Sequence, residues 1–145
     1  MVKPNDLQLQ RYYHALQKDE EVLRASSSGG AFSALASSFF NSFERGIVYG
    51  CALDENFEAR HIRATDISGT IPMRGSKYVE SDLGTSYASV AKDLADGREV
   101  LFSGTPCQIY GLRSYLGMRG QDVNALFLCE VLCHGVGSPF FFRDY

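Results

Sequence analysis

The stretch from Val100 to Leu112, VLFSGTPCQIYGL, constrains the fold of this chain more than any other. Its first three residues, Val100–Phe102, form a short apolar run typical of a strand that is buried on both faces. Ser103–Gly104 end that run, and Thr105–Pro106 have the chemistry of a helix start, an N-cap followed by proline. The apolar face of the helix continues at three positions: Ile109, Leu112 and Leu116. The stretch therefore predicts a strand–turn–helix unit of an α/β fold.

This unit places Cys107 in the first turn of the helix, where backbone N–H groups and the helix dipole stabilise a thiolate. A second apolar run, Ala125–Leu132, ends directly before Cys133. If the two strands are parallel neighbours, both thiols lie at the same edge of the sheet, where α/β proteins bind ligands. The alternative for either residue is a cysteine that only packs, which is the interpretation we give to the strand residues Cys51 and Cys129.

The remaining pattern predicts a single α/β domain over residues 1–145, with a mixed, mostly parallel central sheet flanked by helices. Gly46–Leu53 and Phe57–Ala64 are predicted strands joined by a short turn, hence an antiparallel pair. Three further segments are assigned: a possible first strand at Arg11–Gln17, a helix along the apolar stripe Phe32–Phe43, and a helix from Leu83 to Leu94. His61 is expected to be solvated or hydrogen-bonded rather than catalytic.

Charge and hydropathy exclude several functional classes. The net charge of -3, without any basic run, gives no electrostatic basis for binding nucleic acid or an anionic membrane. No stretch approaches the roughly 20 apolar residues of a membrane span, and the first residues lack the apolar core of a signal peptide. We therefore expect a cytoplasmic protein, in which four cysteines act as ligands, nucleophiles or packing residues rather than disulfides.

Two loops have the composition of ligand-binding segments. Ser26–Gly30, SSSGG, precedes the first long helix, and such a loop suits a phosphate, although an ordinary flexible N-cap has the same composition. Arg74–Tyr78, RGSKY, combines two cations, a hydroxyl and an aromatic ring around a glycine. These groups suit a phosphate or an aromatic cofactor, but also an exposed loop.

Taken together, six motifs resemble the beta-subunit family of the coenzyme F-420 (deazaflavin) hydrogenases and dehydrogenases. The motifs occur in the order usual for that family and extend from about Tyr12 to the end of the chain. They are SSSGGAFSALA at Ser26–Ala36, VYG at Val48–Gly50, HIR at His61–Arg63, RGSKYVESDLG at Arg74–Gly84, VLFSGTPCQIYGL at Val100–Leu112 and CHGVGSP at Cys133–Pro139.

The resemblance implies a flavin- and iron–sulfur-dependent oxidoreductase domain that transfers electrons between a ferredoxin-like or hydrogenase/dehydrogenase partner and an acceptor. It implies FAD and a four-iron, four-sulfur (4Fe-4S) cluster as cofactors. Cys107 and Cys133 match the expected cluster ligands. The residues matching the expected FAD site are Ser28, Gly29, Gly30, Gly75, Ser76, Lys77 and Tyr78. Lys77 is the expected catalytic residue, because its charge suits a pyrophosphate or a reduced flavin.

Members of the family are usually longer, with further cysteines, so we expect this chain to be a partial domain with an incomplete cluster ligand set. The alternative function is a truncated, non-catalytic binding or scaffold module of the same fold. Thiol chemistry at Cys107 with His134 as base, and a zinc site formed by Cys107, Cys133 and His134, are weaker alternatives. An exposed sheet edge also makes a homodimer possible.

Overall fold

The computed structural model describes residues 13–137, which form a four-stranded mixed sheet. The strands lie in the order β2-β1-β3-β4. β1, β3 and β4 are parallel, and β2 pairs antiparallel with β1 through the short predicted turn. Their bounds are Ile47–Leu53 for β1, Ala59–Ala64 for β2, Val100–Gly104 for β3 and Leu126–Glu130 for β4. The predicted fold class, including the antiparallel pair, is confirmed.

In the described part of the chain, four α-helices and one 3₁₀ helix accompany the sheet. They are α1 at Glu20–Arg24, α2 at Ala31–Ser42, the 3₁₀ helix at Ser68–Met73, α3 at Ser86–Ala95 and α4 at Pro106–Met118. The apolar stripe that predicted α2 and the periodicity that predicted α3 are therefore confirmed. No helix among residues 13–137 has both the length and the apolar character needed to cross a membrane.

The helices cover the two faces of the sheet as separate layers. Val100 and Phe102 of β3 pack with α3 and α4 in one core cluster, which contains the fully buried Leu112 and Leu116. Leu101, between them, points to the opposite face and packs with Phe39 of α2. This alternation is the two-residue period of a strand, and burial of both faces explains why the run is continuously apolar.

The strand–turn–helix unit forms as its sequence predicts, with one extension. All five residues of β3 are buried, and the strand includes Ser103 and Gly104, which the sequence predicts to end it. Thr105 then precedes Pro106, the first residue of α4, and the Gln108 side chain accepts a hydrogen bond of 3.0 Å from the Thr105 N–H. This is one half of a capping box, in which the third helical residue satisfies the amide before the helix.

Two predictions about strands are wrong. Residues 13–17 of the expected first strand belong to no strand, and its first two residues lie outside the described part. The sequence predicts a buried β4, yet within residues 13–137 it pairs with β3 alone, and Phe127 and Leu128 are 41% and 38% exposed. Glu130 is correspondingly exposed and needs no buried partner. The sequence also predicts the first turns of a helix at Phe141–Tyr145, a segment that lies outside the described residues.

Candidate functional site

A cavity of about 680 Å³ lies where the parallel strands end. Its wall consists of the serine loop before α2, the segment from Met73 to Ser81, and the residues that follow β3 and β4. This is the edge at which parallel α/β sheets bind ligands, and the volume falls within the usual range for small-molecule sites. Both loops predicted to bind a cofactor contribute to this one cavity.

A direct hydrogen bond joins the two predicted loops. The backbone N–H of Ser76 donates to Ser27 Oγ over 2.6 Å, although the residues are 49 positions apart. Gly30, with φ of 74°, is the N-cap of α2 and provides no side-chain hydrogen bond to it. The first backbone N–H groups of α2 therefore begin next to the cavity without a side-chain acceptor, an arrangement that favours an anion.

Gly29 is the predicted cofactor residue that does not line the cavity. A Cβ at this position would collide with the carbonyl oxygen of Ala15. The Gly29 carbonyl also accepts a hydrogen bond of 2.8 Å from the N–H of Gln17. Gly29 thus allows the segment before α1 to pack on the serine loop, while Ser28 and Gly30 on either side line the cavity.

Lys77 lines the cavity, and its ammonium group holds the neighbouring turn together. Nζ donates to the carbonyl oxygens of Pro72, Arg74 and Gly75 over 3.1, 2.7 and 3.1 Å. These three acceptors match the three protons of an ammonium group. Burial lowers the pKa of Lys77 from its ordinary value, and the nearby Cys51 thiol opposes that shift.

The same turn contains a second cation. Arg74 also lines the cavity, and its Nε is buried without a hydrogen-bond acceptor among the described residues. Gly75 between the two cations has φ of 80°, a conformation that favours glycine and lets the chain reverse here. Tyr78 lines the cavity too but is 83% exposed, so its ring stands at the rim.

All four cysteines of the chain line this cavity. The prediction that Cys107 and Cys133 lie at one edge of the sheet is confirmed, because β3 and β4 are parallel neighbours. Cys51 and Cys129 are each only partly buried and line the cavity. The interpretation of Cys51 as a core residue is therefore wrong, whereas Cys129 does pack against the core cluster around Phe39 and Leu101. Burial raises the pKa of both thiols; Lys77 and the Ser81 hydroxyl oppose the shift at Cys51, and the Ser103 hydroxyl opposes it at Cys129.

Within residues 13–137, the thiols do not form a metal site. Within that range no three Cys, His, Asp or Glu side chains are placed to hold one ion. The exposed Cys107 thiol lies 3.1 Å from Thr105 Oγ1, and Cys133 Sγ accepts a hydrogen bond of 3.4 Å from the Gly135 N–H. The described residues by themselves therefore do not fit a 4Fe-4S cluster, which requires four ligands.

His61 and Ser81 are cavity residues that the sequence interpretation does not assign to the site. His61 is hydrogen-bonded, as expected: its Nε2 lies 3.0 Å from the Ser103 carbonyl oxygen and its Nδ1 lies 3.0 Å from Ser81 Oγ. Its ring stacks on Phe102 with centroids 5.2 Å apart. The feature that could have identified His61 as a cavity residue is its position in the β1–β2 pair. His61 is opposite Cys51, and cross-strand partners share a face of the sheet.

Comparison with known proteins shows the fold rather than a family. No protein-family model and no curated protein matches the sequence. Among solved structures, a chain of the F-420-reducing NiFe hydrogenase complex from Methanosarcina barkeri is similar, with a TM-score of 0.69 at 20% sequence identity. The match covers 89% of this chain and 46% of that chain, so the present chain spans about half the length of this neighbour.

Proposed function

We propose that this chain is a flavin-binding electron-transfer domain of an oxidoreductase, similar to the beta subunit of coenzyme F-420 hydrogenases and dehydrogenases. The observation that carries the proposal is the cavity at the strand ends, into which the two predicted cofactor loops are brought by the Ser76–Ser27 hydrogen bond. The structural likeness to a chain of an F-420-reducing hydrogenase complex supports it through the fold.

The cavity has the donors that FAD requires. Arg74 Nε is a buried donor without an acceptor among residues 13–137, and a phosphate oxygen would satisfy it. The uncapped start of α2 offers backbone N–H groups to the same kind of anion. Most of the remaining wall is apolar, which suits a planar ring system. These residues therefore support FAD as the ligand of the cavity.

Bound FAD would supply the redox chemistry, accepting electrons in a pair and releasing them singly. The residues of this chain would bind and orient it. Arg74 and Lys77 place two positive charges on one wall, where they stabilise a pyrophosphate or the negative charge of a reduced flavin. We propose Lys77 in the catalytic role for this reason. Ser28, Gly30, Gly75, Ser76 and Tyr78 would line the cofactor, and Gly29 would support them by shaping the loop.

Cys107 and Cys133 stay proposed cluster ligands, in combination with thiolates from outside this sequence, since all four of its cysteines lie within residues 13–137. Because the described residues do not complete a cluster, these two thiols are assigned no step in electron transfer. In keeping with the family resemblance, we propose a ferredoxin-like or hydrogenase/dehydrogenase partner and a cytoplasmic setting. A homodimer formed through the exposed edge of β4 is a further proposal.

Replacing Lys77 with alanine is expected to weaken FAD binding about tenfold, the equivalent of roughly 1.4 kcal/mol. The substitution removes a positive charge and the three hydrogen bonds that hold the Arg74–Gly75 turn. Binding is measured by titrating the anaerobically purified protein with FAD and following flavin fluorescence. Lys92→Ala, at an exposed site of α3 away from the cavity, is the matched control and should bind FAD as the unsubstituted protein does.

The outcomes separate the two functions considered. Weaker binding in Lys77→Ala alone supports the flavin site at this cavity. Equal affinity in both variants would place the flavin elsewhere on the protein. If the unsubstituted protein binds no FAD, the result favours the alternative of a non-catalytic module with the same fold.

A further inference from the structure

A closed ring of hydrogen bonds surrounds the turn between β3 and α4. His61 Nε2 contacts the Ser103 carbonyl oxygen, and His61 Nδ1 contacts Ser81 Oγ, each over 3.0 Å. Gln108 Nε2 donates to Ser81 Oγ over 2.9 Å, and Gln108 Oε1 accepts from the Thr105 N–H over 3.0 Å. The side chains of the ring thus link the carbonyl oxygen of Ser103 to the backbone N–H of Thr105, two residues later.

One group in the ring fixes the direction of every hydrogen bond. A carbonyl oxygen only accepts, so His61 must carry its proton on Nε2 to bond to Ser103. In the neutral imidazole Nδ1 is then an acceptor, and the Ser81 hydroxyl must donate to it. Ser81 Oγ in turn accepts from the Gln108 amide, whose oxygen accepts from Thr105. Each side chain of the ring therefore donates one hydrogen bond and accepts one.

We propose that His61, as the neutral Nε2–H tautomer, and Ser81 are positioning residues that hold the cysteine-bearing turn of α4 at the cavity. The turn carries Cys107, whose thiol lies 3.1 Å from the hydroxyl of Thr105. Thr105 is held by Gln108, Gln108 by Ser81, and Ser81 by His61. Neither His61 nor Ser81 belongs to the β3–α4 unit, so they fix the turn relative to β2 and to the segment before α3.

The surroundings of His61 favour the required protonation state. One face of the ring stacks on Phe102, and burial lowers the pKa of His61, opposed by the hydrogen bond to Ser103. The titratable groups on adjoining elements are the Cys51 thiol, opposite it on β1, and the Cys129 thiol, which contacts the Ser103 hydroxyl. Asp82 contacts it through the backbone, where its carbonyl accepts the His61 N–H. Protonating Nδ1 would make His61 a donor at both nitrogens and force the Ser81 hydroxyl to turn away.

The first test is made on the unsubstituted protein. Long-range ¹H–¹⁵N spectra of the ¹⁵N-histidine-labelled chain report which ring nitrogen carries the proton, with His14→Gln and His61→Gln used to assign the signals. We expect His61 to be the Nε2–H tautomer at neutral pH and its pKa to lie below the ordinary histidine value. An Nδ1–H tautomer at His61, or a protonated ring at neutral pH, would overturn the proposal. The protonation state itself is measured on the unsubstituted protein.

The second test follows exchange of the Thr105 amide hydrogen. Replacing Ser81 with alanine leaves Gln108 without its anchor, and we expect Thr105 exchange to accelerate about fivefold, as for loss of one net hydrogen bond. Ser81→Thr retains a hydroxyl and should restore most of the protection. Ser42→Ala, which removes an exposed hydroxyl bonded only to its own helix at Ser38, is the matched control and should leave Thr105 unchanged.

These readouts separate positioning from general stability. If Ser81→Ala accelerates exchange equally at Thr105 and at core amides such as that of Leu101, the ring contributes only to global stability and the proposal is wrong. An unchanged exchange rate of the Thr105 amide in Ser81→Ala would also contradict the proposal. Selective acceleration at the β3–α4 turn, reversed by threonine, is the result that supports it.

Discussion

Replacing Phe102 with alanine is expected to lower the free energy of unfolding by about 3–5 kcal/mol, the range for removing a buried phenylalanine. Phe102 is fully buried in the centre of β3, and its ring contacts the rings of Tyr49, His61 and Tyr87. Alanine would leave a cavity between the sheet and the helices on that face. It would also remove the surface on which the His61 ring stacks.

Urea denaturation followed by circular dichroism measures this loss. Tyr110→Ala is the control, because Tyr110 also lies in the strand–turn–helix unit but is 76% exposed, and it should change stability little. Phe102→Leu keeps most of the apolar volume and should cost much less than the alanine variant. A Phe102→Ala protein as stable as the Tyr110→Ala protein would show that β3 is not the centre of the core.

Asp93→Ala is expected to destabilise the protein by about 3 kcal/mol. Asp93 is buried in α3 and receives two hydrogen bonds of 2.8 Å from Arg63 and one of 2.7 Å from the Tyr49 hydroxyl. Arg98 adds a longer ion pair of 3.7 Å. Removing the carboxylate leaves the Tyr49 hydroxyl buried without its acceptor, and Arg63 loses its partner.

The same carboxylate makes stability depend on pH. Burial raises the pKa of Asp93, but hydrogen bonds from Arg63 and Tyr49 outweigh burial and hold it below its ordinary value. Its contribution is therefore complete above the ordinary aspartate pKa of about 3.9 and is lost as pH falls through the lower pKa of the folded state. Denaturation at a series of acidic pH values should show a smaller loss in Asp93→Ala than in the unsubstituted protein. The exposed-site variant Asp96→Ala, as control, should follow the unsubstituted protein.

The sequence predicts best those features that depend on neighbouring residues. Thr105 and Pro106 start a helix through local backbone chemistry, and the predicted start is correct because no distant contact competes with it. The prediction for β4 fails for the opposite reason. Its residues are as apolar as those of a buried strand, but exposure depends on what packs against them, and Phe127 is at the edge of the described sheet.

In the candidate site, too, local features could be predicted and long-range contacts could not. Composition marks two loops as candidates for ligand binding, and both line one cavity. The common edge of Cys107 and Cys133 follows from parallel strands. The contact that joins the loops, from Ser76 to Ser27, leaves no trace in local sequence because it links positions far apart. The prediction for Cys51 fails because alternation shows that a strand has two faces, but it does not show which face borders a cavity.

The close contact at Gly29 has a consequence for how this chain can vary among homologous sequences. A side chain at position 29 would displace the Ala15 carbonyl. We therefore expect a substitution at position 29 to be accompanied by a change in residues 13–17. A homologue with alanine at the equivalent of Gly29 should also differ in the length or path of its N-terminal segment, whereas one with glycine should keep both. A circular permutant or fusion whose chain begins after residue 17 should consequently tolerate alanine at position 29 better than the present chain does.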